Sequence, residues 1–203
     1  MDTRYLAQYD FAQDRNAEGA VNADLMARLQ ALKLVVFDVD GVLTDGGLLY
    51  NAEGEQIKRF NVKDGVALKL LPKWGVQVAV ISAKDSLPLR KRMADLGVQH
   101  GYFGCHDKAA VLQTLLKTLA IDKAQTAYVG DDVIDLQVIP QIGVSMCPAD
   151  AHVLLLRHCD LPLHKKGGEG VAREVADVIL ACRMSLEEAY ELAINPEFEI
   201  LTK

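Results

Sequence analysis

Asp38 and Asp40 stand two residues apart after an apolar run and just before Gly41, and a second acidic pair, Asp131 and Asp132, follows Gly130. A carboxylate so placed can attack phosphorus to form an aspartyl phosphate, which water then hydrolyses. Repulsion between two anions opposes that attack. A hard divalent cation held by oxygens relieves it, and Mg²⁺ takes few protein ligands while keeping waters and a phosphate oxygen. Asp38, the main-chain carbonyl of Asp40 and Asp131 can supply such a set. Asp40 can also protonate the leaving oxygen and later activate water. Gly41 lets the chain turn sharply beside them. Lys108 and Ser82 can neutralise and hydrogen-bond the remaining phosphoryl oxygens.

Each of these residues has a plainer use when taken alone. An acidic pair after a strand commonly caps a helix, Ser82 suits an N-cap or turn, and Lys108 suits a solvated helix start. Asp135 is expected to orient or cap rather than to bind metal. The combination is what points to phosphoryl transfer. The histidines show no ligand spacing, so no transition-metal site is expected. Cys105, Cys147, Cys159 and Cys182 contain no CxxC pair, which suits reduced, mostly buried thiols better than a zinc site or a disulfide framework.

Short apolar runs at 34–37, 76–81, 127–129 and 142–146 alternate with helical spacing over 87–96, 109–119 and 171–180. Strands apolar on both faces and separated by helices predict an α/β fold, a three-layer, Rossmann-like, doubly wound parallel sheet. Ligands of such sheets sit beyond the carboxyl ends of the strands. Those ends deliver Asp38 and Asp40, Ser82 and Lys84, and Asp131 and Asp132, while Lys108 follows a short strand at 101–103. At 203 residues the chain fits one domain.

Other segments break the rhythm. Residues 1–20 read as an arm, and Leu25, Leu29 and Leu32 predict a helix before the first strand. Residues 47–60 read as a hairpin around the turn residues Asn51 to Gly54. Pro72 is expected to kink or end early a helix over 66–74. Ser185 and Glu188 form a capping-box pattern that opens a last helix, so the C-terminal element spans 185–193.

The charge balance, 22 basic against 28 acidic residues for a net −6, comes without a basic tract, so no nucleic-acid partner is expected. No apolar run approaches the roughly 18 residues of a membrane helix, and the first ten residues lack a signal-peptide pattern. A cytoplasmic protein without a membrane partner is expected.

These motifs resemble those of the haloacid dehalogenase superfamily, in the order that superfamily has them. The first is Asp38-Val39-Asp40-Gly41-Val42, the second Ser82, the third Lys108, and the fourth Gly130-Asp131-Asp132-Val133-Ile134-Asp135. Within the superfamily the chain is similar to the small phosphatases of 3-deoxy-D-manno-octulosonate 8-phosphate. The likeness lies in DVDGVLTDG, FNVKDG, GDDVIDLQVI, ADAH and GGEGVARE, and it covers roughly residues 32–183.

The resemblance implies a magnesium-dependent phosphatase of lipopolysaccharide precursor synthesis. Asp38 would be nucleophile and metal ligand, Asp40 acid/base and carbonyl ligand, and Asp131 the second carboxylate ligand. It places the sugar-acid contacts on Asn61, Lys63, Asp64, Gly65, Lys84, Arg92 and Lys108, with Asp132 and Asp135 in support. Basic residues dominate that set, which suits a substrate carrying both phosphate and carboxylate.

The resemblance also implies that hairpin 47–60 stands in place of a cap domain, and that a homotetramer closes neighbouring sites. Residues 165–170 read as a mobile flap, because glycines allow motion and lysines favour anions. Lys84 and Lys63 stand where the family has arginine, replacing a bidentate fork with a point charge. Another sugar-acid phosphate, such as an acylneuraminate 9-phosphate, therefore stays open. A non-catalytic module of this fold would be expected to have lost Asp38 or Asp40. A receiver domain would lack Asp40, and a phosphomutase would need a cap.

Overall fold

Four consecutive apolar residues make Leu34–Phe37 (β1) buried at every position, the pattern of a central strand covered on both faces. The computed structural model describes residues 1–9, 23–195 and 198. Before β1 come α1 (Thr3–Leu6) and α2 (Ala23–Ala31), and after it the hairpin β2 (Leu49–Asn51) and β3 (Gly54–Ile57). Then follow α3 (Val62–Lys73), β4 (Gln77–Ser82), α4 (Leu87–Asp95), β5 (His100–Phe103), α5 (Lys108–Leu119), β6 (Thr126–Val129) and β7 (Val144–Cys147). The chain continues through α6 (Val153–His158), β8 (Leu161–Pro162), α7 (Val171–Ala181) and α8 (Leu186–Ile194).

The six-stranded sheet has the order β5-β4-β1-β6-β7-β8, and every pairing in it is parallel. The chain builds outward from β1 through β4 and β5, then returns to build the other side from β6. The crossover therefore falls at the carboxyl end of β1, where such sheets hold ligands. Phe37 pairs with Val80 on one side and Val129 on the other, so Asp38 emerges level with the ends of β4 and β6.

Side chains alternate across the sheet. Val35, Phe37, Val80 and Val129 pack under α2, α3, α4 and α7. Leu34, Val36, Ile81 and Tyr128 meet Leu112 and Leu115 of α5 on the other face. The predicted three-layer class is thus the observed one, with the small antiparallel hairpin apart from the main sheet.

Several boundaries differ from the expectations. α3 starts at Val62 rather than near 66, because the Asn61 side chain accepts the Lys63 amide at 3.0 Å and caps it. Pro72 sits in its last turn, and Trp74 closes the helix. β8 and α6 were absent from the periodicity reading, since two strand residues and six helical ones carry too little repeat.

Residues 10–20 of the expected arm lie outside the described residues. Residues 1–9 are anchored rather than loose: Leu6 and Tyr9 are buried, the Tyr9 hydroxyl donates to Glu174 at 2.7 Å, and the Asp2 amide donates to Ala181 at 2.7 Å. At the other end, Ser185 accepts the Glu188 amide at 3.2 Å to cap α8, and the Trp74 indole donates to the Ala189 carbonyl at 2.9 Å.

All four cysteines are free thiols, and Cys147 and Cys159 lie 2.9 Å apart at sulfur. Among the described residues, no helix is long and apolar enough to cross a membrane.

Candidate active site

The ladder of β1 runs one residue past its end, where the Asp38 amide donates to the Val129 carbonyl at 2.9 Å. That bond fixes Asp38 at the crossover. Its Oδ1 accepts the Val39 amide at 2.7 Å, and its Oδ2 accepts from Lys108 Nζ at 2.6 Å. Lys108 opens α5 but is 1% exposed, which rules out the solvated helix-start reading. Its second partner is Asp135, 2.7 Å away and fully buried.

Asp135 has its oxygens occupied. Oδ1 accepts from Lys108 and from the Tyr128 hydroxyl at 2.7 Å, and Oδ2 accepts the Asp131 and Asp132 amides at 3.1 and 3.3 Å. It therefore orients the lysine and the 131–132 turn at once. Asp132 caps the short 3₁₀ helix Val133–Gln137.

Asp131 lies against Gly41, where a Cβ would come within 2.0 Å of its Oδ2 and φ is +84°. Only glycine fits there, for both reasons. Ser82 ends β4, 1% exposed, and its Oγ accepts the Lys84 amide at 3.1 Å. Lys84 Nζ reaches the hairpin, donating to the Tyr50 hydroxyl at 3.1 Å and lying 5.1 Å over its ring.

Asp38, Asp40, Gly41, Ser82, Lys84 and Asp131 line a single cavity of about 280 Å³, together with Leu48 of the hairpin region. Lys108 does not line it and meets it through Asp38. A larger cavity, about 530 Å³, opens between the first residues and α7, and Lys63, His164 and Arg173 line it. None of Asp38, Asp40, Asp131 and Asp135 lines it.

Oxygens of Asp38, Asp131 and Asp135 lie within 4.8 Å of one another. Burial pushes the Asp131 carboxyl up to about 8, with repulsion from Asp38 and Asp135 adding to it. Burial also raises Asp38, to about 6, against the pull of Lys108. Burial opposes the Lys108 charge, but Asp38 and Asp135 outweigh it and hold the ammonium above the usual lysine value. Three carboxylates around one ammonium leave a deficit of positive charge that a divalent cation makes good. With Asp135 occupied, Asp38 and Asp131 are the side chains that fit it.

The remaining sequence-predicted contacts are elsewhere. Asn61 caps α3 and donates to the Gly168 carbonyl at 3.2 Å, and Asp64 accepts the Arg173 amide at 2.9 Å. Gly65 faces the Arg92 guanidinium, which sits 6.0 Å over Phe60. Lys63 faces the larger cavity. Of the predicted sugar-acid set, Lys84 alone lines the smaller one.

Residues 165–170, the expected flap, meet the 41–44 turn. The Gly168 amide donates to Val42 at 3.0 Å and the Gly167 amide to Asp150 at 2.9 Å. A Cβ at Gly167 would lie 2.1 Å from the Gly41 carbonyl oxygen. The glycine serves close approach to the 41–44 turn.

Burial pushes the Asp64 carboxyl up to about 6, against amides and guanidiniums that lower it, and its Oδ2 has no hydrogen-bond partner. A carboxyl whose folded pKa exceeds its unfolded value of 3.8 loses stability as the pH rises through that interval. Asp64→Asn is therefore expected to gain on the parent by on the order of 3 kcal/mol between about pH 4 and pH 7. Urea unfolding of both proteins at the two pH values measures the change, and a pH-independent difference would contradict it.

Sequence reasoning missed Lys58. Its side chain is 1% exposed, contacts Asp40 Oδ1 and lies 2.9 Å from Glu55 Oε1. A lysine beside an exposed hairpin strand reads as a solvated edge charge. The available signal was Glu55 three residues earlier.

An aspartate at the switch point, followed two residues on by a second and backed by a strand-end serine and a buried lysine, is the arrangement expected of a haloacid dehalogenase-type hydrolase. The profile of the haloacid dehalogenase-like hydrolases accordingly matches residues 104–175. The 3-deoxy-D-manno-octulosonate 8-phosphate phosphatase KdsC of Escherichia coli is 40% identical over 171 residues, 84% of this chain and 91% of that enzyme. The chain belongs to the 3-deoxy-D-manno-octulosonate 8-phosphate phosphatase family.

Solved structures agree. The probable YrbI family phosphatase of Pseudomonas syringae superposes with a TM-score of 0.80 at 42% identity, covering 85% of this chain and 98% of that one. The Moraxella catarrhalis 3-deoxy-D-manno-octulosonate 8-phosphate phosphatase, solved with magnesium, phosphate and KDO, gives 0.79 at 31% identity, covering 86% and 99%.

Proposed function

We propose that this chain hydrolyses 3-deoxy-D-manno-octulosonate 8-phosphate to 3-deoxy-D-manno-octulosonate and inorganic phosphate. The observation that carries the reading is Asp38, a buried carboxylate at the crossover that shares its cavity with Asp40 and Asp131 and is braced by Lys108. Kinship to enzymes of that name supplies the substrate.

Asp38 attacks phosphorus, and the bond from phosphorus to the sugar oxygen breaks as Asp40 gives that oxygen its proton. Asp40 then takes a proton from the water that attacks the phosphorus of the aspartyl phosphate, which returns Asp38 as carboxylate and frees phosphate. Ser82 donates to a phosphoryl oxygen, and Lys108 balances the charge of Asp38. The Asp38 and Asp131 side chains and the Asp40 carbonyl would hold Mg²⁺, which when bound would offset the repulsion between nucleophile and phosphate.

Lys84 meets the sugar acid within the chain's own cavity. Lys63 and Arg92 serve a neighbouring subunit's cavity in a homotetramer, with Asn61, Asp64 and Gly65 seating them. Exposure of Leu49 (55%), Tyr50 (62%), Ile57 (60%) and Val62 (78%) on and beside the hairpin supports such a contact. The free thiols suit a cytoplasmic setting.

Phosphate release measured across a panel of sugar phosphates tests the substrate. The highest kcat/KM is expected for 3-deoxy-D-manno-octulosonate 8-phosphate, only with Mg²⁺ present, and from a species that sediments as a tetramer. Equal rates on simple hexose phosphates would remove the substrate reading, and a fully active monomer would remove the shared site.

A further inference from the structure

The hairpin does more than project over the cavity, because it buries a charge against the acid/base residue. The Lys58 side chain is 1% exposed and the Glu55 side chain 6%, although β2 is exposed along its length and β3 is nowhere fully buried. Desolvating an ammonium costs several kcal/mol and is repaid only by well-placed partners. Here the hydrogen-bond partner is Asp40 Oδ1, while Glu55 Oε1 lies 2.9 Å away as an opposite charge without a hydrogen bond of its own. A two-stranded hairpin gains no core from this arrangement.

We propose that Lys58 is a positioning residue for Asp40: it holds Oδ1 so that Oδ2 meets the leaving oxygen, while Glu55 offsets part of the charge that Lys58 brings. The inference rests on the phosphatase reading given above. In the step concerned, an Asp38 oxygen bonds to phosphorus as the phosphorus–oxygen bond to the leaving group breaks. The Asp40 carboxyl proton passes to that oxygen, leaving an alcohol, an aspartyl phosphate and the Asp40 carboxylate. Lys58 restricts the Asp40 rotamer through direct contact with Oδ1, and Glu55 offsets part of the charge it brings.

Leaving groups of different basicity separate positioning from scaffolding. A sugar alkoxide needs that proton, whereas p-nitrophenolate leaves without it. At saturating Mg²⁺, Lys58→Met is expected to lower kcat/KM for the sugar phosphate on the order of 100-fold, the scale of one acid catalyst, and for p-nitrophenyl phosphate by less than about 3-fold. Lys58→Arg, which keeps a cation, is expected to recover most of the difference. Should Lys58→Met not fold, Lys58→Gln carries the same expectation.

Equal losses on both substrates, or no loss on either, would overturn the assignment. Asp40→Asn sets the reference in the same assay. A split there with none at Lys58 overturns the Lys58 role alone, whereas no split at Asp40 removes the acid/base reading beneath it.

Discussion

Asp38→Asn is expected to abolish phosphate release while leaving the protein folded. A carboxamide is a far poorer nucleophile toward phosphorus than a carboxylate and a poorer ligand for a hard cation, so the loss should be on the order of 10⁴-fold or more. The fold has no comparable dependence on the charge. Asparagine keeps one oxygen, for either the Val39 amide or the Lys108 ammonium, which the aspartate accepts at 2.7 and 2.6 Å. Lys108 retains Asp135, so no buried ammonium is orphaned. One fewer anion also relieves Asp131, whose carboxyl is pushed up to about 8 by burial and by its acidic neighbours. The thermal midpoint of the metal-free variant should equal or exceed that of the parent. Malachite-green phosphate release and a melting curve check both halves, and an active variant would displace Asp38 as nucleophile.

Lys108→Met is expected to damage stability and activity together. It would leave Asp38, Asp131 and Asp135 clustered within 4.8 Å with no ammonium among them, the costly case of a buried network broken from one side. A loss of about 3–5 kcal/mol near pH 7 follows from comparable buried pairs. The loss should shrink as the pH falls, because the stranded carboxyls take up protons and shed their repulsion. The fall in kcat/KM should reach about 10³-fold, since charge stabilisation and the orientation of Asp38 are lost together. Urea unfolding at about pH 7 and pH 5 without Mg²⁺, alongside steady-state kinetics, measures this. A penalty equal at both pH values would show that Lys108 packs rather than neutralises.

What could be read before the structure, and what could not, follows from how local each signal is. β1 was legible to the residue because all four of its positions are apolar and buried. The rule that ligands collect at strand ends singled out Asp38, Ser82 and Asp131, which line one cavity. Lys108 was legible as a candidate, but its burial between two carboxylates was not, since a lysine at a helix start usually meets water.

Tyr9 was illegible because its partner, Glu174, is 165 residues away and one anchor leaves no period. The close approach at Gly167 was illegible because a glycine required for it looks the same in sequence as one that allows motion. Lys58 was passed over because nothing in a hairpin's alternation tells a buried pair from an exposed one. The contacts that set Asp40 are tertiary, and so they emerge only with the fold.

Catalysis through Asp38 requires that phosphorus become bonded to its carboxylate. Mixing the enzyme with substrate and Mg²⁺, quenching in acid within the first turnover and mapping the peptides by mass spectrometry tests it directly. The phosphoryl group is predicted on the peptide containing Asp38, labile to hydroxylamine as an acyl phosphate. A phosphoryl group on any other residue would contradict the account.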